Sequence, residues 1–138
     1  MSVTPKEFLD SATKLAIPGC DEMTQRNVIS RSYYAAYHRS CEIINPNAHN
    51  DRGGMHKNYF FQLNCGAPGS IERKIGGRLK ALYARRIDAD YKLDQNLKND
   101  AYILQMQTAN DLFKILAEPR DIVINSPPQA RPKMKVVK

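Results

Sequence analysis

Apolar residues recur every three or four positions through most of the chain, and prolines divide this pattern into segments. Such spacing is typical of amphipathic helices. Thr4-Pro5-Lys6-Glu7 is a capping box with proline at the first helical position, and it predicts a helix that ends near Ala16, before Pro18-Gly19. A second helix, the longest, is predicted from about Asp21 to Ile44, where Asn45-Pro46 stops it.

The pattern continues after an irregular loop at residues 46–54. A short helix is predicted from about Met55 to Asn64, and a last long helix from about Asn96 to Ala117, before Pro119. Between the later helices, we expect the chain that follows residues 87–91 to be extended or turning. Because no strand pattern is present, the predicted fold is all-α: an antiparallel up-and-down bundle of four main helices plus one short helix.

The fourth predicted helix is capped by Ser70 and runs to about Arg86. It contains Gly76-Gly77, and each glycine costs about 1 kcal/mol relative to alanine in a helix interior. Either this helix begins later, near Arg78, or another backbone approaches closely at the two glycines.

Length and charge predict one domain with a basic tail. A chain of 138 residues is of single-domain length, and we place the bundle at residues 1–119. Residues 120–138 carry five basic residues against one acid, a charge of +4 out of the chain's net +7. This segment lacks an amphipathic period, so we expect it to be disordered or draped over the surface. The positive balance favours a polyanionic partner such as nucleic acid.

Several classes of protein are disfavoured. Apolar runs are too short to span a bilayer, and the N-terminus lacks the apolar run of a signal peptide. Cys20, Cys41 and Cys65 are widely spaced and form no CxxC pair, so we interpret them as reduced thiols in a cytoplasmic protein. Phosphate-loop, GxSxG, HExxH and DxDxDG patterns are missing. We therefore expect no metal, no cofactor and no membrane partner.

The candidate chemistry begins with Arg31 and His38. Seven residues are close to two helical turns, so both side chains lie on one side of the second helix, about 10 Å apart along its axis. A permanently charged phosphate ligand beside a group that titrates near neutral pH suits RNA cleavage without a metal. The alternative is that both are ordinary polar residues on a solvated face.

Further candidates surround this pair. Arg52 and His56 flank two glycines at the start of the short helix, where free backbone amides favour anions, or they belong to an exposed turn. Tyr34 lies beside Arg31 and can orient it, whereas Tyr33 fits a core position. The basic fourth segment, which includes Arg78 and Arg86, is either a phosphate-binding strip or a solvated helix face. These two arginines complete the set of candidate site residues.

Three blocks together resemble the HEPN domain superfamily. Ile29-Ser30-Arg31-Ser32-Tyr33-Tyr34-Ala35-Ala36-Tyr37-His38 resembles the opening helix signature of these small prokaryotic proteins. Gly54-Met55-His56-Lys57 resembles the His-containing start of the short middle helix. Arg86-Ile87-Asp88-Ala89-Asp90-Tyr91 resembles the Arg…Asp-Tyr segment before the final helix. The likeness covers about residues 20–117.

The resemblance implies a helical homodimer, often a toxin with a cognate antitoxin or a phage-defence effector, that cleaves RNA without metal. Arg31 and His38 match the Arg-x4–6-His motif of such ribonucleases. Better-known catalytic members have Asn, Asp or His after the arginine, whereas Ser32 follows it here and the motif lies early in the chain. The alternative is therefore a non-catalytic dimer that binds a nucleotide or a nucleotidyltransferase-like protein. A third possibility is general nucleic-acid binding through the tail.

Overall fold

The structure, a computed structural model, describes residues 3–43, 63–64 and 66–117. In these ranges the chain forms four long α-helices and no β-strand. The helices are α1 (Pro5–Leu15), α2 (Glu22–Ile43), α3 (Ile71–Tyr91) and α4 (Ala101–Ile115). The predicted all-α fold class is therefore confirmed. None of these helices is long and apolar enough to cross a membrane.

Side chains fix where α1 and α3 begin. The Thr4 hydroxyl accepts a hydrogen bond from the Glu7 amide at 3.1 Å, and the Glu7 carboxylate accepts one from the Thr4 amide at 2.7 Å. The predicted capping box is thus confirmed. Ser70 caps α3 by accepting from the Arg73 amide at 3.3 Å, so this helix begins where the sequence predicted.

The central helix α2 runs antiparallel to α3. Ser30 donates a hydrogen bond to the Asp90 carboxylate at 3.1 Å. One turn further along α2, the Tyr33 ring meets the Tyr83 ring edge-on at 5.6 Å. Because increasing numbers on α2 meet decreasing numbers on α3, the two helices run in opposite directions.

The same helix α2 runs parallel to α4. The Gln105 side chain donates to the carbonyl of Ile29 at 3.1 Å, and Arg39 donates to the carbonyl of Leu116 at 3.3 Å. The two neighbours of α2, α3 and α4, thus run in opposite directions to each other. This agrees with an up-and-down bundle, in which successive helices alternate in direction. The core is built from buried residues of all four helices and of the segment at 63–64. They include Leu9, Ala12, Val28, Ile29, Tyr33, Ala36, Leu63, Ile75, Leu79, Leu82, Ala109, Leu112 and Leu116.

The polar side chain of Gln105 lies fully buried in this core. Its amide nitrogen donates to the carbonyls of Ile29 at 3.1 Å and Leu82 at 3.0 Å, and its oxygen accepts from Arg85 at 3.0 Å. Both amide protons and one oxygen lone pair are thus satisfied, which a buried amide requires. Gln105 therefore ties α2, α3 and α4 together.

A second polar side chain, Arg26 of α2, is 6% exposed and holds the end of α3. Its guanidinium donates to the carbonyls of Ala89 at 2.9 Å and Gln95 at 2.6 Å, and more weakly to those of Asp88 and Lys92. Glu22 accepts from the same group at 2.7 Å. The last carbonyls of a helix have no partner within the helix, and Arg26 provides one.

This contact explains a wrong prediction. The fourth helix was predicted to end near Arg86, but α3 continues to Tyr91. The chain turns after Tyr91, as predicted. The last predicted helix also starts later than expected, at Ala101 rather than Asn96. The carbonyl of Gln95 is bound by Arg26 within the connecting segment. Residues 96–100, where the sequence predicted the start of a helix, are not helical.

The two glycines of α3 lie within a continuous helix, so the predicted later start near Arg78 is wrong. The alternative, another backbone close to both glycines, is also wrong, because a close approach occurs at Gly76 only and involves side chains. A Cβ atom there would lie 2.9 Å from the Leu63 Cβ and 3.0 Å from the Asn64 Oδ1, whereas at Gly77 it would meet nothing within 4 Å. The approaching atoms are side-chain atoms rather than backbone.

Leu63 and Asn64 are helical, which agrees with the end of the predicted short helix. Residues 55–62 of that helix, the loop at 46–54 and the tail at 120–138 lie outside the described residues.

Candidate functional site

Arg31 and His38 lie two turns apart on the same side of α2, and both are exposed. Tyr34 lies between them and is half-buried. The Arg31 guanidinium donates a hydrogen bond to the Ser11 hydroxyl of α1. This acceptor is a neutral hydroxyl rather than a carboxylate.

His38 contacts the aromatic side chains of its own helix. Its ring stacks on the Tyr34 ring with centroids 6.1 Å apart and planes 23° apart. It also meets the Tyr37 ring edge-on at 5.4 Å. Residues four apart on a helix are neighbours on its surface, so the i,i+4 spacing of Tyr34 and His38 produces the stack. The imidazole is thereby oriented while its exposed edge faces solvent.

Arg86 of α3 continues this stack from the opposite helix. Its guanidinium carbon lies 5.0 Å from the centroid of the Tyr34 ring and 5.4 Å from that of the Tyr91 ring. Both distances are within the range of cation–π attraction. We call His38, Tyr34, Arg86 and Tyr91 the aromatic stack. It runs from the middle of α2 to the last residue of α3.

An acidic group steadies Arg86. The Arg86 Nε donates to the Asp90 carboxylate at 2.9 Å, and the Ser30 hydroxyl donates to the same carboxylate oxygen at 3.1 Å. Partial burial works to lower the pKa of Arg86, but Tyr34 and Asp90 outweigh it and raise that pKa above its ordinary value. The guanidinium is therefore permanently charged and held in one place.

The tyrosines beneath the stack are structural. Tyr33 is fully buried, as the core interpretation predicted, and its ring packs at 5.2 Å from Tyr34 and 5.9 Å from Tyr37. Burial raises the pKa of the Tyr33 and Tyr37 hydroxyls far above the usual range. Neither hydroxyl ionises near neutral pH, so neither tyrosine exchanges protons there.

The remaining predicted site residues are not in the stack. Arg78 is half-buried on α3, and the described contact of its guanidinium is with the Lys74 carbonyl of its own helix at 3.4 Å. Arg52 and His56 lie outside the described residues. Of the seven candidates, the structure therefore groups Arg31, Tyr34, His38 and Arg86 on one surface.

Sequence reasoning missed Tyr91 and Asp90 as parts of this surface. The missed signal is the i,i+4 spacing of Arg86 and Asp90, which is typical of ion pairs on a helix. This spacing did not predict a contact, because the helix was expected to end near Arg86. Once α3 extends to Tyr91, the same spacing places both residues beside the guanidinium.

The arrangement suits an anion with an aromatic or planar group attached. It offers two fixed guanidinium groups, an oriented imidazole and an exposed tyrosine ring. Within the described part of the chain, no group of three or more His, Cys, Asp or Glu residues is close enough to hold a metal ion. Comparisons with protein-family models, with curated proteins and with solved structures gave no match to this chain.

Proposed function

We propose that this protein is a metal-independent endoribonuclease of the HEPN type. The observation that supports the proposal is the exposed strip of α2, on which Arg31 and the oriented His38 ring lie two turns apart with Arg86 alongside. RNA cleavage needs a group that moves protons near neutral pH and fixed positive charge on the phosphate. This strip carries both.

In the proposed reaction the 2′-hydroxyl oxygen of RNA attacks the adjacent phosphorus, and the bond to the 5′-oxygen of the next nucleotide breaks. His38 takes the proton of the 2′-hydroxyl or gives one to the leaving 5′-oxygen. Arg31 stabilises the negative charge that develops on the phosphoryl oxygens. The products are a 2′,3′-cyclic phosphate and a free 5′-hydroxyl, so no water, metal or cofactor enters the step.

One imidazole cannot be base and acid at the same time, so a second copy of the strip completes the proposed site. A homodimer that pairs the exposed strips across a two-fold axis brings two arginines and two histidines into one cleft. The proposed biological role is that of a cytoplasmic toxin, restrained by a cognate antitoxin, or of a phage-defence effector.

The test is cleavage of a single-stranded RNA in the presence of EDTA. We expect wild type to release fragments that end in 2′,3′-cyclic phosphate, and His38→Ala to lose roughly 100-fold or more of the rate. The matched control is Arg73→Ala, an exposed arginine in the first turn of α3, far along that helix from Arg86. The proposal fails if wild type does not cleave RNA, or if His38→Ala cleaves as fast as wild type.

A specific observation favours the non-catalytic alternative. The Arg31 guanidinium is already bonded to Ser11, and that of Arg86 to Asp90, so each cation has a partner within the chain. Ser11→Ala separates the two functions. In a ribonuclease it frees Arg31 for the phosphate and leaves cleavage equal or faster. In a module that docks a nucleotidyltransferase-like protein, neither wild type nor Ser11→Ala cleaves RNA, and growth arrest on expression does not depend on His38.

A further inference from the structure

We propose that the exposed ring of Tyr91 is a stacking surface for an unpaired base of single-stranded RNA, at the open end of the aromatic stack. The inference rests on the proposed function for the class of polymer. It adds a binding surface that the cleavage chemistry does not itself require, on a residue that takes no part in proton transfer.

Tyr91 is strongly exposed. Its residue surface is 66% exposed, although a tyrosine side chain more often buries its ring and leaves only the hydroxyl in water. One face of the ring is against the Arg86 guanidinium, whose carbon lies 5.4 Å from the ring centroid. The remaining accessible surface of the ring therefore faces solvent, where a base can stack.

The Tyr91 ring is also held in place. Arg86 is fixed by the Tyr34 ring on one side and by the Asp90 carboxylate at 2.9 Å. The backbone of Tyr91 belongs to the final turn of α3, which Arg26 binds through the Ala89 carbonyl. A ring that is already ordered loses little conformational freedom when a base binds, which favours affinity.

A positive charge also lies against the Tyr91 ring. Surfaces for single-stranded nucleic acid combine stacking rings with positive charge along the backbone path. Arg86 supplies one such charge against the ring itself, with its guanidinium carbon 5.4 Å from the ring centroid. Arg31 follows Ser30 on α2, and its exposed guanidinium donates to the neutral Ser11 hydroxyl of α1. The net charge of +7 acts in the same direction.

The experiment measures binding separately from cleavage. A fluorescently labelled 2′-O-methyl oligouridine lacks the 2′-hydroxyl nucleophile, so its anisotropy reports binding alone. We expect Tyr91→Leu to raise the Kd about tenfold or more, because loss of one base–aromatic stack has roughly that effect. Tyr91→Phe keeps the ring and should stay within about twofold of wild type.

The matched control is Leu93→Ala, two residues away and 69% exposed, which should leave the Kd within about twofold. Far-UV circular dichroism checks that each variant is folded. Equal Kd values for Tyr91→Leu and wild type overturn the inference, and so does the absence of oligonucleotide binding by wild type, which would assign the exposed ring to a protein partner instead.

Parallel assays on cleavable RNA keep the two proposals apart. Binding that depends on Tyr91, without cleavage by wild type, supports the stacking surface and refutes the ribonuclease. Cleavage whose KM is the same in Tyr91→Leu and wild type refutes the stacking surface and leaves the ribonuclease standing. If both proposals hold, Tyr91→Leu raises KM more than it lowers kcat.

Discussion

Replacing Arg26 by alanine tests how the end of α3 is held. The guanidinium is 6% exposed and binds four backbone carbonyls of α3 and the following turn, besides the Glu22 carboxylate. Arg26→Ala removes all of these hydrogen bonds in one step. It acts on the segment that carries Arg86 and Tyr91, so stability and the candidate site change together.

The expected magnitude follows from the partners. A hydrogen bond to a charged group contributes about 1.5–3 kcal/mol, but contacts that share one donor group are not additive. The Asp88 carbonyl also accepts from the Lys92 amide at 3.2 Å, so it keeps a partner. Glu22 is 46% exposed and can be hydrated when its partner is lost. We therefore expect a loss of about 3 kcal/mol in the free energy of unfolding.

The assay is urea unfolding followed by far-UV circular dichroism, with a fall in Tm of about 10 °C as a second readout. Arg26→Lys keeps the charge but not the planar fork, and should recover only part of the loss. Arg73→Ala, an exposed arginine of α3, should change stability by less than about 0.5 kcal/mol. A loss below about 1 kcal/mol in Arg26→Ala would refute this account of the helix end.

Three further predictions concern the core. Gly76→Ala should destabilise the protein by about 1–3 kcal/mol, because the added Cβ meets side-chain atoms at 2.9–3.0 Å. Gly77→Ala should stabilise it by about 1 kcal/mol. Urea unfolding curves of the two variants that shift in the same direction would contradict this. Gln105→Leu should cost about 1–3 kcal/mol through its three lost hydrogen bonds, and the exposed Gln107→Leu should cost less than about 0.5 kcal/mol by the same assay. Burial raises the pKa of Tyr33, so its contribution to the free energy of unfolding is complete below about pH 10. Above that pH the unfolded chain ionises, and stability falls by about 1.4 kcal/mol per pH unit. The free energy of unfolding should therefore depend less steeply on alkaline pH in Tyr33→Phe than in wild type, and an equal dependence would exclude Tyr33 as a cause of alkaline destabilisation.

The parts of the fold that local interactions decide could be predicted. The capping box at Thr4 and the cap at Ser70 need only residues three positions away, and both helices begin there. The end of α3 could not be predicted, because its carbonyls are bound by Arg26, more than sixty residues earlier in the chain. The need for a residue without a Cβ atom at position 76 likewise depends on Leu63, which lies in another segment and approaches Gly76 closely.

The candidate site divides in the same way. Helical spacing alone placed Arg31 and His38 on one side of α2 and Tyr34 between them. The contact of Arg86 with Tyr34 depends on the register between α2 and α3, which local sequence does not contain. Tyr91 was missed for a related reason, since its position follows from the length of α3. Both omissions concern contacts between helices rather than within one.

The buried amide of Gln105 has a consequence for how this surface can change. By bonding the carbonyls of Ile29 and Leu82 from inside the bundle, it sets the rotation of α2 and α3 about their own axes. The direction in which the outward side chains of both helices point is thus fixed from within. Substitutions of the outward side chains can therefore change the chemistry of this surface without turning either helix, which makes the scaffold suitable for redesign.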